Sequence, residues 1–232
     1  LWNIDQTLMD VARVSRDAYA EAFGRATGRR LVALPQLAGA SDSEIFFGSL
    51  ALNEVPPSGT ESSLSEVDQL ARYNTELAAA FSSRAGRLAE QGRLLPGAAE
   101  ALAAVARSPH VIQTVLTGTI RQNAEHKLRA FGLDGYFDLS IGGFGSDVYP
   151  KGTQILRSLT LAREKYDAGL APADLVYIAD SVRDVAAAKV AAIRSVGVAT
   201  GRSTAAELHD AGADVVLEDL TDTARVVAAV AP

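Results

Sequence analysis

Residues 1–10 read LWNIDQTLMD. Leu1, Trp2 and Ile4 form the apolar end of a buried strand, and Asn3, Asp5, Gln6 and Thr7 crowd the point where it stops. A strand that ends in amide, carboxylate and hydroxyl side chains can host chemistry if other strands end beside it.

The rest of the chain supplies those strands. Residues 11–28 place Val11, Val14, Ala18, Phe23 and Ala26 on a helical spacing that Gly28 stops. Further helices are predicted over 42–52 and 64–91, with the loop-like PPSGTESSLS between them at 56–65. Pro96-Gly97 opens another, AAEALAAVARS, with proline near its first turn. From there the rhythm changes. Strands are predicted at 111–116, 139–141, 175–179, 195–199 and 214–217. They alternate with helices at 120–131, 152–166 and 183–192, and a helix follows each of the last two strands. Runs such as LVYIA are apolar on both faces, which predicts a parallel sheet covered on both sides. The expected fold class is α/β: a Rossmann-like doubly wound parallel sheet. A helical insert follows its first strand, with the core at 1–9 and 93–232 and the insert at 10–92. No internal repeat is present.

Composition narrows the function. The 232 residues are 48% hydrophobic and 22% charged, as a packed globular chain should be. Acids outnumber bases 28 to 22, the net charge is −6, and no basic run occurs, so a duplex nucleic-acid binder is not expected. No apolar run reaches ~18 residues, so no membrane-spanning helix is expected. Cysteine is absent, which removes disulfides, zinc–thiolate sites and a thiol nucleophile, and fits a cytoplasmic protein. A small-molecule substrate and a monomer or homodimer are the expected partners.

In a parallel sheet, ligands bind at the carboxyl ends of the strands. There the chain places Asn3, Asp5, Gln6 and Thr7; then Thr117, Gly118 and Thr119; then Lys151; then Asp180, Ser181 and Asp184. Singly, each has an ordinary role: a helix cap, a strand-end turn, a surface lysine, an acidic pair at a helix N-terminus. Together, carboxylates, hydroxyls and a lysine on one edge suit a phosphate and a hard cation such as Mg²⁺.

The segments WNIDQTL, VLTGT, DVYPKG and YIADSVRDVAAAKVAAIRSVGVATG, in this order around a large helical insert, resemble the haloacid dehalogenase superfamily in its phosphoglycolate-phosphatase-like branch. RDAYAEAF and LAGASDSEIF sit where that branch carries its first cap helix and specificity loop. The resemblance implies a helical cap over 10–92 and phosphoryl transfer through an aspartyl-phosphate, with Mg²⁺ as cofactor. By position, Asn3 stands at the nucleophile, Asp5 at the general acid/base and Lys151 at the charge-balancing lysine. Thr117 and Gly118 match the phosphate grip, flanked by Gln6, Thr7 and Thr119. Asp180 and Asp184, with Asn3 and the Asp5 carbonyl, match the metal site.

The departures carry weight. A carboxamide oxygen is a poor nucleophile and a neutral ligand, so the resemblance implies binding retained, Mg²⁺ weakened or lost, and covalent turnover weak or absent. Gln6 replaces a common glycine, Thr119 a frequent asparagine, Ala179 a glycine and Val182 a frequent proline, which points to natural drift rather than one engineered exchange. Three functions stay open: a small-molecule phosphatase, an enzyme reusing Asp5 for other proton-transfer chemistry, and a non-catalytic binder of a phosphorylated or acidic ligand. IGGFGSD lacks the G-x-G-x-x-G spacing and reads as a loop lining the site. His110, His126 and His209 are scattered. Tyr19, Phe23, Phe46 and Phe47 read as packing residues of the insert, with Tyr19 or Phe47 able to reach a substrate.

Overall fold

A computed structural model of the chain describes residues 1–56, 65–146, 150–167 and 169–231. Its centre is residues 1–4. Trp2 pairs in parallel with Val115 on one side and with Ile178 on the other. The bonds Trp2 N–H to Thr114 O and Asn3 N–H to Ile178 O, each 2.9 Å, fix that register. Leu116 pairs onward with Gly143. On the other side Ile178 belongs to β3 (Val176–Ala179), which pairs in parallel with β4 (Arg194–Val198), and β4 with β5 (Val215–Leu217). The order across the sheet is therefore Gly143, Val115, Trp2, β3, β4, β5. It reverses direction beside residues 1–4, and such a reversal opens a crevice at the strand ends.

Two short strands mark where the chain leaves the sheet and returns. β1 (Met9–Asp10) pairs antiparallel with β2 (Arg93–Leu94), and an Arg93–Asp10 ion pair of 3.2 Å reinforces it. Two residues are too few to show alternation, so sequence periodicity passes over them. Between them lie α1 (Ala12–Thr27), α2 (Asp42–Leu52), α3 (Glu66–Ser82) and α4 (Ala85–Gln91). Gly28 ends α1 with φ 71°, a left-handed conformation that suits glycine. The aromatic centre of these helices is Phe46, stacked on Tyr73 at 4.3 Å and edge-on to Phe23 at 6.5 Å.

The single helix expected over 64–91 is two. The Ser83 hydroxyl and the Arg84 guanidinium both donate to the Ala80 carbonyl, so side chains satisfy the end of α3 and the chain turns there. Of the loop expected at 56–65, residues 57–64 lie outside the described residues, as do Asp147, Val148 and Tyr149 of the DVYPKG segment. The strand expected at 139–141 is a 3-10 turn, because Asp138 accepts from the Ser140 amide and hydroxyl and curls the chain. The strand register falls instead at Gly143, inside the glycine-rich run read as a loop. A side chain on Gly143 would meet Leu116 Cδ1 at 2.5 Å, so close strand packing accounts for the glycine.

The core helices are α5 (Ala98–Ala106), α6 (Arg121–Ala130), α7 (Lys151–Tyr166), α8 (Val182–Val190), α9 (Ala205–Asp210) and α10 (Thr223–Val230). α3 and α4 rest on α6, which makes α6 the support of the inserted helices. One hydrophobic cluster runs through both parts, from Trp2, Ile4 and Val115 to Phe46, Leu77 and Phe81.

Candidate active site

A cavity of about 790 Å³ opens over the strand ends. Asn3, Asp5, Gln6, Thr117, Gly118, Thr119, Lys151 and Asp180 all line it, as the sequence places them. Thr7 and Asp184 do not. The predicted site residues thus divide into those that face the cavity and those that stand behind it.

Asn3 is 7% exposed and sits between strands. Its Nδ2 donates to the Asp5 carbonyl at 2.9 Å and to Asp180 Oδ1 at 2.9 Å, with Thr7 Oγ1 at 3.3 Å. Asp5 O and Asp180 are acceptors, so the amide must turn its nitrogen towards them. The fully buried Thr7 donates its hydroxyl to Asp180 Oδ1 at 2.9 Å, so it supports that carboxylate and holds nothing in the cavity. Burial pushes Asp180 up to about 6, the nearby Asp184 charge adds to this, and the Thr7 and Asn3 bonds oppose it.

Asp184, at the start of α8, is fully buried and bonded on every side. It accepts from Lys151 Nζ, from the Tyr177 hydroxyl at 3.0 Å and from Ser181 Oγ at 2.6 Å. Lys151, the first residue of α7, lines the cavity with its charge committed to Asp184.

These residues do not fit a resident Mg²⁺ as they stand. The Asn3 amide nitrogen fills the point shared by Asp5 O and Asp180, and Asp184 is neutralised by Lys151. One carboxylate and neutral carbonyls remain for a cation that favours anionic oxygens. Among the described residues no three His, Asp or Glu side chains gather as a metal cage.

Gln6 holds a backbone conformation that suits glycine. Its φ is 61°, left-handed, and costs about 1 kcal/mol for a residue with a Cβ. Its side chain is drawn aside by Asp10 at 3.0 Å, and its carbonyl accepts from Thr200 Oγ1 at 2.7 Å.

The inserted helices close the cavity from above. Ser41 caps α2 in a reciprocal box with Glu44, which sets Asp42 at the mouth. The Asp42 amide donates to Gly118 O at 2.8 Å, and its carboxylate accepts from the Ile120 N–H at 2.7 Å and the Tyr19 hydroxyl at 2.8 Å. Asp42 is 1% exposed, and burial pushes its carboxyl up to about 6 against the pull of Lys127 and these two donors. Gly118 is a glycine for a steric reason, since a Cβ there would lie 2.1 Å from Ala40 O. Arg183 pairs with Glu44 across the same seam. Of the two aromatic candidates, Tyr19 lines the cavity; Phe47 does not and is 37% exposed. Of the IGGFGSD run, the described residues 141–146 do not line the cavity, and Gly145 packs closely against Gly118; Asp147 lies outside the described residues.

Sequence reasoning missed Asp42 and Lys127. The signal for Lys127 was present: in α6 it shares the buried stripe of Asn123, Ala124 and Leu128, where a lysine is out of place.

A family model described as haloacid dehalogenase-like hydrolase matches residues 1–189. No curated protein matches. Among the similar solved structures is a predicted phosphoglycolate phosphatase from Haemophilus somnus 129PT. It is 19% identical, with 97% of this chain and 95% of that one covered and a TM-score of 0.65. A HAD hydrolase of family IA, variant 3, from Entamoeba histolytica HM-1:IMSS is 15% identical over 99% and 97% of the two chains, TM-score 0.69. A hydrolase from Pseudomonas syringae is 21% identical over 100% and 98%, TM-score 0.64. At such identities the likeness shows the fold.

Proposed function

The chain belongs to the haloacid dehalogenase-like hydrolases, and on that premise we propose that it is a phosphatase-type member with its nucleophile neutralised. In this reading, residues 1–9 and 93–232 form the catalytic core and 10–92 the helical cap. The ligand is a small phosphorylated or acidic molecule, held between Thr117, Gly118 and Thr119 below and the α2 loop above. Phosphate-monoester turnover is weak or absent.

The observation that carries the reading is the Asn3 amide. The aspartyl-phosphate route begins with attack on phosphorus by a carboxylate oxygen, already ionised at neutral pH. Asn3 offers an uncharged amide, and its nitrogen is spent on Asp5 O and Asp180. The other cavity residues support the reading: Asp5 stands at the cavity wall, where the reading gives it proton transfer, and Thr117, Gly118 and Thr119 offer hydroxyl and backbone groups for phosphoryl oxygens. The Asn3 amide and the Lys151–Asp184 pair argue that the Mg²⁺ expected of such a site is held weakly or lost. The place of Asp5 beside the cavity also favours a second reading, proton transfer on a ligand that needs no nucleophile.

Phosphate release from p-nitrophenyl phosphate with Mg²⁺, compared for this chain and Asn3→Asp, tests the proposal. The chain should be near background and Asn3→Asp at least about 100-fold faster, the scale of a restored reaction channel. Rapid turnover by the chain as it stands, with no gain from Asn3→Asp, sinks the proposal. Inactivity of both favours the second reading.

A further inference from the structure

Lys127 is a lysine sealed in the core beside the site. It lies in the middle of α6 and is 1% exposed. Its ammonium has three N–H donors, and the structure has three acceptors for them. These are Asp5 Oδ1 at 2.9 Å, Asp5 Oδ2 at 2.7 Å and Thr119 Oγ1 at 2.9 Å. No donor is left for a ligand, and Lys127 does not line the cavity. Whatever it does, it does through Asp5.

The pair is asymmetric. Asp5 is about one-third exposed and faces the cavity, while Lys127 is sealed behind it. Thr119 closes the triangle by donating its hydroxyl to Asp5 Oδ2 at 2.9 Å. If the carboxylate swung away, it would leave a buried ammonium without its counter-charge, which is strongly unfavourable. Both oxygens of Asp5 are therefore held from the core side. The Phe81 ring, near the end of α3, has its centroid 5.2 Å from Nζ. Phe81 belongs to the inserted helices, and α3 and α4 both rest on α6. The same α6 receives Asp42 at its N-terminus, where Ile120 has no side-chain cap of its own.

We propose that Lys127 is the positioning residue for Asp5: it fixes the carboxylate in one place at the cavity wall, and Phe81 of the inserted helices helps to hold the ammonium there. The inference rests on the reading of Asp5 as the proton-transfer group. Lys151 cannot do this work, because its ammonium is taken by Asp184. The division of labour is one lysine per carboxylate, Lys151 on Asp184 and Lys127 on Asp5.

The test uses p-nitrophenyl phosphate turnover in the Asn3→Asp background. Lys127→Met should lower kcat at least 30-fold with KM within threefold, and Lys127→Arg should recover at least tenfold of that loss. In Asn3→Asp/Asp5→Asn, adding Lys127→Met should change nothing further. A kcat within threefold of the parent, or an equal loss with and without Asp5, overturns the proposal. If Asn3→Asp shows no turnover, the phosphatase reading fails alone and folding decides the Lys127 question. Urea midpoints of the chain as it stands should fall with Lys127→Met when Asp5 is present and should not fall in Asp5→Asn. An equal fall in both overturns it.

Discussion

Asp42 offers a prediction whose sign runs against intuition. It is a buried carboxylate with two good donors, and replacing it with asparagine should stabilise the protein. Burial raises its pKa from 3.8 to about 6, although the Lys127 charge, the Ile120 N–H and the Tyr19 hydroxyl all pull downward. The folded-state value therefore lies above the unfolded one. Between about pH 4 and 6 the folded chain binds more protons than the unfolded chain, so stability from this group falls as pH rises through that window. Above it the full cost of that rise is present, about 3 kcal/mol. Asparagine keeps both bonds without the charge: its Oδ1 can accept from the Ile120 N–H while its Nδ2 donates to the Tyr19 oxygen. Urea and thermal unfolding of wild type and Asp42→Asn, from pH 4 to 7.5, read the difference. The variant should be more stable by about 1–3 kcal/mol at pH 7.5, with Tm higher by about 2–4 °C per kcal/mol, and the gap should close towards pH 4. Subtraction cancels the other raised carboxyl, Asp180. A variant less stable at pH 7.5, with a gap that does not move with pH, would refute the reasoning.

Two further substitutions probe the cover and its core. Gly118→Ala would set a methyl 2.1 Å from Ala40 O, so the loop before α2 must lift, at about 1–3 kcal/mol. Limited proteolysis should then cut residues 34–41 at least tenfold faster than in the parent, and an unchanged rate would mean that the loop is not seated on Gly118. Phe46→Ala removes a fully buried ring stacked on Tyr73 and should cost about 3–5 kcal/mol by urea unfolding; a cost under 1 kcal/mol would contradict the packing described.

The functional consequence of the fold is a site whose carboxylates are largely satisfied from within. Lys151 meets Asp184, Lys127 meets Asp5, and Asn3 and Thr7 satisfy Asp180. The sheet reversal beside residues 1–4 brings Asn3 and Asp180 within 2.9 Å although 177 residues separate them. The Asn3 amide joins two strand ends, its nitrogen shared between the Asp5 carbonyl and Asp180.

Local patterning determined much of this protein. Apolar strands with polar ends, helices stopped by Gly28 or opened at Pro96-Gly97, and the cavity residues Asn3, Asp5, Thr117, Lys151 and Asp180 were all legible, because burial imposes periodicity on the chain and polar groups gather where it lapses. The two-residue strands β1 and β2 were too short to leave a period, and Gly143 was hidden because glycine signals a turn and a close strand contact alike. The break at Ser83–Arg84 depends on side chains reaching back to one carbonyl. Which site residues face the cavity was a tertiary decision: Thr7 follows Asn3, and Asp184 follows Asp180, by about one turn of chain, yet Thr7 and Asp184 do not line the cavity. So too was the role of Lys127, an out-of-place lysine on a buried stripe until the sheet sets Asp5 in front of it. Sequence spacing carries direction along one element; the meeting of charges from different elements is fixed only when those elements pack.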